Sequence, residues 1–330
     1  MVNKLNIEFY NTVLAQTFTP CGNYLVTGDI YGNLSVFNLT KLVDPQENLN
    51  QEARLPKHKI TVHADIQINS LLTTQDHLLV GGYGEIFAYS WKTIKGLSTN
   101  TQPVWSIKLP STHENLEKAE VNSLVMDEDL GKLYTGCGDN KIYIYDLESR
   151  STLAVLINHS EYVHCLRKHV NNSLLSGGQD GLLNIWDLRL NKVIEKIEPH
   201  LNNQINRNKL GKWIGAVDSN EDYIVCGGGP RLALYHTRFL RNCTIFPFDD
   251  KGIHVADISD DKIFAGGRSK LFYQADFNGD IVSEIQTCGP AVFSMVKQEK
   301  PFQIMCIAGS SPKIDVSMNF MYKDQNLSLY

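Results

Sequence analysis

His159, Ser176 and Asp180 are the residue types of a hydrolase triad, in which serine attacks, imidazole takes the proton and the carboxylate orients the ring. Their setting argues for another use. They lie in INHSEYVHCLRKHVNNSLLSGGQDGLLNIWDLRLNKVIEKI. There His159 precedes an apolar strand, Ser176 ends a second, Asp180 sits in a tight turn, and Trp186 and Asp187 close a third. No nucleophile elbow surrounds Ser176. His159, Ser176, Asp180 and Trp186 have instead the order of a hydrogen-bonded structural set. Asp accepts from the imidazole, His contacts the Ser hydroxyl, and Ser donates towards Trp, fixing adjacent strands.

The remaining reactive residues form no site. Cysteines at 21, 137, 165, 226, 243, 288 and 306 make no CxxC pair and no zinc-finger spacing. Most sit in apolar runs such as YIVCGG and IMCIAG, where a free thiol behaves as a small buried hydrophobe. His159, His164 and His169 are five residues apart around one strand and cannot converge on an ion. Gly227, Gly228, Gly229 and Pro230 look like a phosphate cradle. A strand, RLALYH, follows them, and Pro230 removes a donor that a nest would use. Arg207, Lys209 and Lys212 are the best basic cluster, without the aromatic pairs or basic stripe of an RNA reader. No catalytic residue, cofactor or metal is expected.

What must position these residues is a repeat. An apolar strand ending in a small residue plus Gly, a polar turn and a second β-rich run recur seven times. The anchors are Gly28, Gly81, Gly136, Gly177, Gly227, Gly266 and Gly309. Their mean spacing is about 47 residues, the period of a β-propeller blade of four short strands. Seven such units account for all 330 residues, so the expected fold is all-β, one seven-bladed propeller over 1–330. A doubly wound or barrel fold would need long helical crossovers, and few candidate helices exist. Apolar residues at 42% and charged residues at 20% suit a folded, non-membrane chain. The net charge of -5 speaks against a surface built to neutralise many phosphates.

Other units keep only parts of the fourth unit's pattern. Phe37, Tyr89 and Tyr145 stand near the Trp position, and Pro230, Ser269 and Pro312 replace the turn Asp in units five to seven. Extra length falls at 41–57, 90–102, 109–119 and 200–211. Surface loops on a rigid scaffold often carry contacts. Within 41–57 and 200–211, Asp44, Glu47, Glu52, Asn202, Arg207 and Lys209 are the candidate partner-contact residues. The C-terminal stretch 320–330 is expected to be the fourth strand of the last blade. That leaves 1–12 free to form a short helix or arm, packed over the rim.

The fourth unit resembles the WD-repeat family. Lys212 and Trp213 in GKWIGAV, coupled to Gly227, Gly228, Gly229 and Pro230, and the tail KIDVSMNFMYKDQNLSLY resemble more narrowly the subunit 6 family of the THO complex. The resemblance covers essentially the whole chain. It implies a non-enzymatic nuclear propeller of the transcription–export assembly. It also implies contacts to coiled-coil subunits 5 and 7, a part in oligomerisation, and links to an export helicase and adaptors through the complex. Messenger RNA would be reached indirectly and no membrane is involved. One departure is that no Lys/Arg-rich import run is visible, which points to entry with partners. A WD-repeat adaptor of another complex, such as a ubiquitin-ligase receptor, is the alternative. An enzyme using a central channel is a more distant one.

Overall fold

The computed structural model describes residues 7–43, 51–110, 118–248 and 251–330. They form seven four-stranded sheets, the blades of an all-β propeller. Blade 1 holds β1 (Val13–Phe18), β2 (Tyr24–Asp29), β3 (Asn33–Asn38) and β4 (His58–Thr61). Blade 2 holds β5 (Ser70–Thr73), β6 (His77–Gly81), β7 (Glu85–Ser90) and β8 (Trp105–Lys108). Blade 3 holds β9 (Val121–Asp127), β10 (Lys132–Cys137), β11 (Lys141–Asp146) and β12 (Thr152–Ile157). Blade 4 holds β13 (Val163–His169), β14 (Ser173–Gly178), β15 (Leu183–Asp187) and β16 (Lys192–Ile197). Blade 5 holds β17 (Ile214–Ser219), β18 (Tyr223–Gly228), β19 (Ala233–His236) and β20 (Asn242–Ile245). Blade 6 holds β21 (Ile253–Ser259), β22 (Lys262–Gly267), β23 (Leu271–Asp276) and β24 (Ile281–Gln286). Blade 7 holds β25 (Val292–Gln298), β26 (Ile304–Gly309), β27 (Lys313–Ser317) and β28 (Gln325–Ser328).

Two compact units are present. One comprises Met1–Lys108 with Ile285–Tyr330, and the other Leu109–Glu284. In the first, blade 7 is completed by the chain's own C-terminal β28, paired with β27. Among the described residues the N-terminal segment supplies no strand to blade 7. Its described part begins with a 3-10 turn, Ile7–Tyr10, and β1 follows from Val13; residues 1–6 of the expected 1–12 helix or arm lie outside the described residues. The 41–57 excursion is not a plain loop. Helix α1 (Leu39–Val43) and a 3-10 turn, Gln51–Arg54, bury Leu42 and Ala53. Asp44 and Glu47 lie outside the described residues, whereas Glu52 is exposed. After β7, Ser90 caps α2 (Trp91–Ile94), its Oγ accepting from the Thr93 N–H at 3.2 Å.

All seven repeat glycines fall in the second strand of a blade. At Gly28, Gly136 and Gly177 the small size is a packing requirement. A Cβ on Gly28 would sit 2.5 Å from Ile68 Cγ2, on Gly136 2.8 Å from Val163 Cγ1, and on Gly177 2.6 Å from Ile214 Cγ2. In each case the intruder would meet a residue at or just before the first strand of the next blade. Three residues before each glycine, an apolar side chain faces the third strand. Across the ladders Leu25 meets Phe37, Leu78 meets Tyr89, Leu133 meets Tyr145 and Leu174 meets Trp186. Blade 5 places Tyr235 there, opposite Ile224, an aromatic the sequence reading overlooked. Blade 6 has only Ala275. The bulk comes instead from Phe246, Phe248 and Tyr273, with the last two rings stacked at 4.5 Å.

Candidate interaction site on the fourth and fifth blades

Blade 4 brings the four expected residues together. His159, just ahead of β13, approaches both Asp180 carboxylate oxygens with Nδ1 at 3.0 Å, and its Nε2 lies 2.7 Å from Ser176 Oγ. The carboxylate fixes the proton on Nδ1, so Nε2 accepts from the Ser176 hydroxyl. Asn184 Nδ2 also points at Nε2, at 3.0 Å. Trp186 Nε1–H donates to Ser176 Oγ at 2.8 Å. This corrects the expected direction of the last link. Indole is a donor only, so Ser accepts from Trp and spends its own proton on His.

Burial alone would raise the Asp180 carboxyl. The hydrogen bond from His159, with those from the Ser160 and Leu182 N–H groups, outweighs that and holds it below the usual value. The hydrogen-bond order matches that of a hydrolase triad. What denies it that chemistry is access and occupancy. Ser176 is wholly buried and its oxygen is already engaged by an indole N–H. The quartet is a clasp between strands, not a nucleophile.

Blade 5 assembles the second motif. The Trp213 indole N–H donates to the Leu210 carbonyl at 2.9 Å, and its ring stacks on His254 with centroids 5.0 Å apart. Desolvation, then the charges of Arg268 and His164, push His254 down to about 4. His164 meets the indole edge-on at 6.3 Å. The Gly227–Pro230 stretch is no anion cradle. The Gly228 N–H donates to the Pro230 carbonyl at 3.1 Å and the Gly229 N–H to the Trp213 carbonyl at 2.9 Å. A Cβ on Gly228 would lie 2.0 Å from that Trp213 oxygen, and one on Gly229 2.2 Å from Gly211 O. Glycine is required here by close backbone approach.

The 199–211 connection packs onto this turn. Its ends are 3-10 turns, Pro199–Leu201 and Asn208–Leu210, and Ile205 between them is fully buried. Arg207 was expected on a partner-contact surface. Its guanidinium donates to the carbonyls of Gly229 at 2.8 Å and of Gly228 and Pro230 at 3.1 Å. Asn202 is half-buried and bonds Asn242, while Lys209 is exposed and Lys212 pairs with Glu161 at 3.7 Å. The basic cluster is thereby dispersed into separate contacts.

Comparison with known proteins decides the family. Residues 150–187, which include the clasp, match the model described as WD domain, G-beta repeat. Over 96% of its length the chain is 34% identical to the THO complex subunit 6 homolog of Danio rerio, covering 97% of that protein. The chain belongs to the THO complex subunit 6 family. It is also 31% identical to THO complex subunit 6 of Drosophila melanogaster, over 97% of this chain and 90% of that one. To THO complex subunit 6 of Homo sapiens it is 30% identical, over 97% and 94% of the two chains.

Two further polar links in this subunit 6 family chain escaped the sequence reading. Lys168 Nζ reaches Asp127 at 2.7 Å and Arg167 Nε reaches Asp218 at 2.5 Å, joining the first strands of neighbouring blades. Burial raises the Asp218 carboxyl even so, against the lowering charge of Arg167. Partners 41 and 51 residues apart carry no local signal. Cysteine burial was only partly legible. Cys137, Cys226 and Cys306 are buried, but Cys21, Cys243 and Cys288 are exposed.

Proposed function

We propose that this chain is a non-enzymatic scaffold subunit of a nuclear THO-type complex, acting as one seven-bladed domain. The near full-length similarity to proteins named THO complex subunit 6 in fish, insect and mammal carries this reading. The clasp supports it, because this triad-like constellation is committed to holding strands together. On this reading the chain binds coiled-coil subunits 5 and 7 and helps THO protomers join into a larger assembly. It meets the export helicase and adaptors through the complex, serving messenger RNA processing and export without gripping RNA itself. The net charge of -5 agrees with protein rather than phosphate contacts. The 41–57 and 200–211 segments are the proposed docking elements, with exposed Glu52 and Lys209 in place of the engaged Arg207.

Affinity purification from nuclear extract followed by mass spectrometry tests this. THO subunits should be recovered with the chain, and recovery should fall when 41–57 or 200–211 is shortened. Recovery of signalling or ubiquitin-ligase partners in their place would overturn the assignment to THO. Undiminished recovery by both shortened forms would overturn the docking elements alone.

A further inference from the structure

The outer strand of blade 3 departs from the pattern of its counterparts. β12 ends its sheet, and among the described residues it pairs only with β11, leaving its other backbone edge without a strand partner. Thr152-Leu153-Ala154-Val155-Leu156-Ile157 carries no charge. Leu156 and Ala154 turn into the core shared with blade 4, whereas Leu153, Val155 and Ile157 are 50%, 38% and 69% exposed. Charges interrupt most other outer strands: Lys59 in β4, Lys108 in β8, Lys196 in β16 and Glu284 in β24. The remaining two, β20 and β28, are four residues long and expose no large apolar side chain. Charge and shortness are usual protections against edge-to-edge pairing; β12 has neither, and keeps only the irregularity at Leu153 that β16 and β20 also carry.

We propose that β12 is a self-pairing edge through which two copies of this chain join antiparallel, making one eight-stranded sheet. The strand itself selects the occupant. A twofold axis at Val155 sets Leu153 opposite Ile157 of the second copy and Ala154 opposite Leu156. The exposed apolar stripe then covers its own image, and no like charges meet within the strand. Val155 faces itself. A six-residue pair with three apolar side chains per copy stays below the roughly 1,200 Å² of standard interfaces. The dimer is therefore weak and concentration-dependent. This rests on the strand's geometry and stands apart from the family-based reading above.

Sedimentation equilibrium of the full chain, from about 1 to 200 μM, reads the pairing. The wild-type mass should rise from 37.2 kDa towards twice that value, and Val155→Lys should stay at 37.2 kDa with an unchanged melting curve. Should Val155→Lys melt early, Ile157→Glu, at the most exposed of the three positions, replaces it. Val155→Cys supplies the register test, because the twofold brings the two thiols together. Mild oxidation should cross-link Val155→Cys into dimers well beyond any background from the exposed native cysteines of the wild type. A wild type that stays monomeric throughout, a charged variant that dimerises equally, or no added cross-link at 155 would each overturn the proposal.

Discussion

Replacing Trp186 with alanine tests the clasp most sharply. The indole is 2% exposed, packs among Leu174, Leu166 and Val163, and gives its N–H to Ser176. Removing a buried Trp costs about 3–5 kcal/mol, because transfer free energy is lost and a cavity remains. The unfolding entropy is about 2.1 cal/mol/K per residue, which sets the change in melting temperature. If Leu109–Glu284 unfolds by itself, a loss of about 4 kcal/mol lowers its midpoint by roughly 11 °C. If all 330 residues unfold together, the fall is about 6 °C. Calorimetry gives the midpoint and shows which unit melts. Trp186→Phe isolates the hydrogen bond, since it keeps a ring but leaves Ser176 Oγ without its donor, at a cost of about 1–3 kcal/mol. Combined with Ser176→Ala, it should show a coupling of about 1 kcal/mol. A Trp186→Ala midpoint equal to wild type, or strict additivity in the cycle, would refute the reasoning.

Four further outcomes follow from the same geometry. Asp180 is held below its unfolded value, so its contribution to stability is present above the ordinary carboxylate range and is lost as pH falls through the folded value. Denaturant titrations of Asp180→Asn and wild type should therefore differ at neutral pH and begin to converge only below about pH 4. For His254 the unfolded chain takes up a proton that the folded chain refuses until about pH 4, so stability should fall as pH drops from the ordinary imidazole value towards 4. His254→Phe, which preserves the stack on Trp213, should flatten that part of the profile. Gly228→Ala drives a Cβ into the Trp213 carbonyl and should cost about 1–3 kcal/mol or abolish folding, read by soluble yield and melting. Arg207→Ala should free the 199–211 segment from the turn it clamps, seen as faster protease cleavage there with little change in the blade 4 core.

Much of the fold was written at fixed spacing in the sequence. Gly28, Gly136 and Gly177 report the approach of the next blade's first strand, and the apolar residues three before the glycines report packing against the third strand of their own blade. A local demand leaves a local trace. The clasp was legible for the same reason, since His159, Ser176, Asp180 and Trp186 lie within one unit. Its last hydrogen bond was assigned in the wrong sense, although the donor-only indole settles it. What stayed hidden depends on contacts between units. Arg207 reads as a surface cation in an Asn-rich loop, and only the folded turn at Gly228–Pro230 shows where its guanidinium goes. Lys168 with Asp127, and Arg167 with Asp218, pair across blades that no periodicity links. The exposure of β12 was likewise invisible, because TLAVLI reads as an ordinary buried strand until its position at the sheet edge is known.

Co-expression with the THO subunits 5 and 7 of the same source, followed by mass measurement of the purified species, bears most directly on the scaffold role. The account predicts a stable complex containing all three chains, which survives Ser176→Ala as long as the propeller remains folded. Folded chain that elutes apart from subunits 5 and 7 would contradict it.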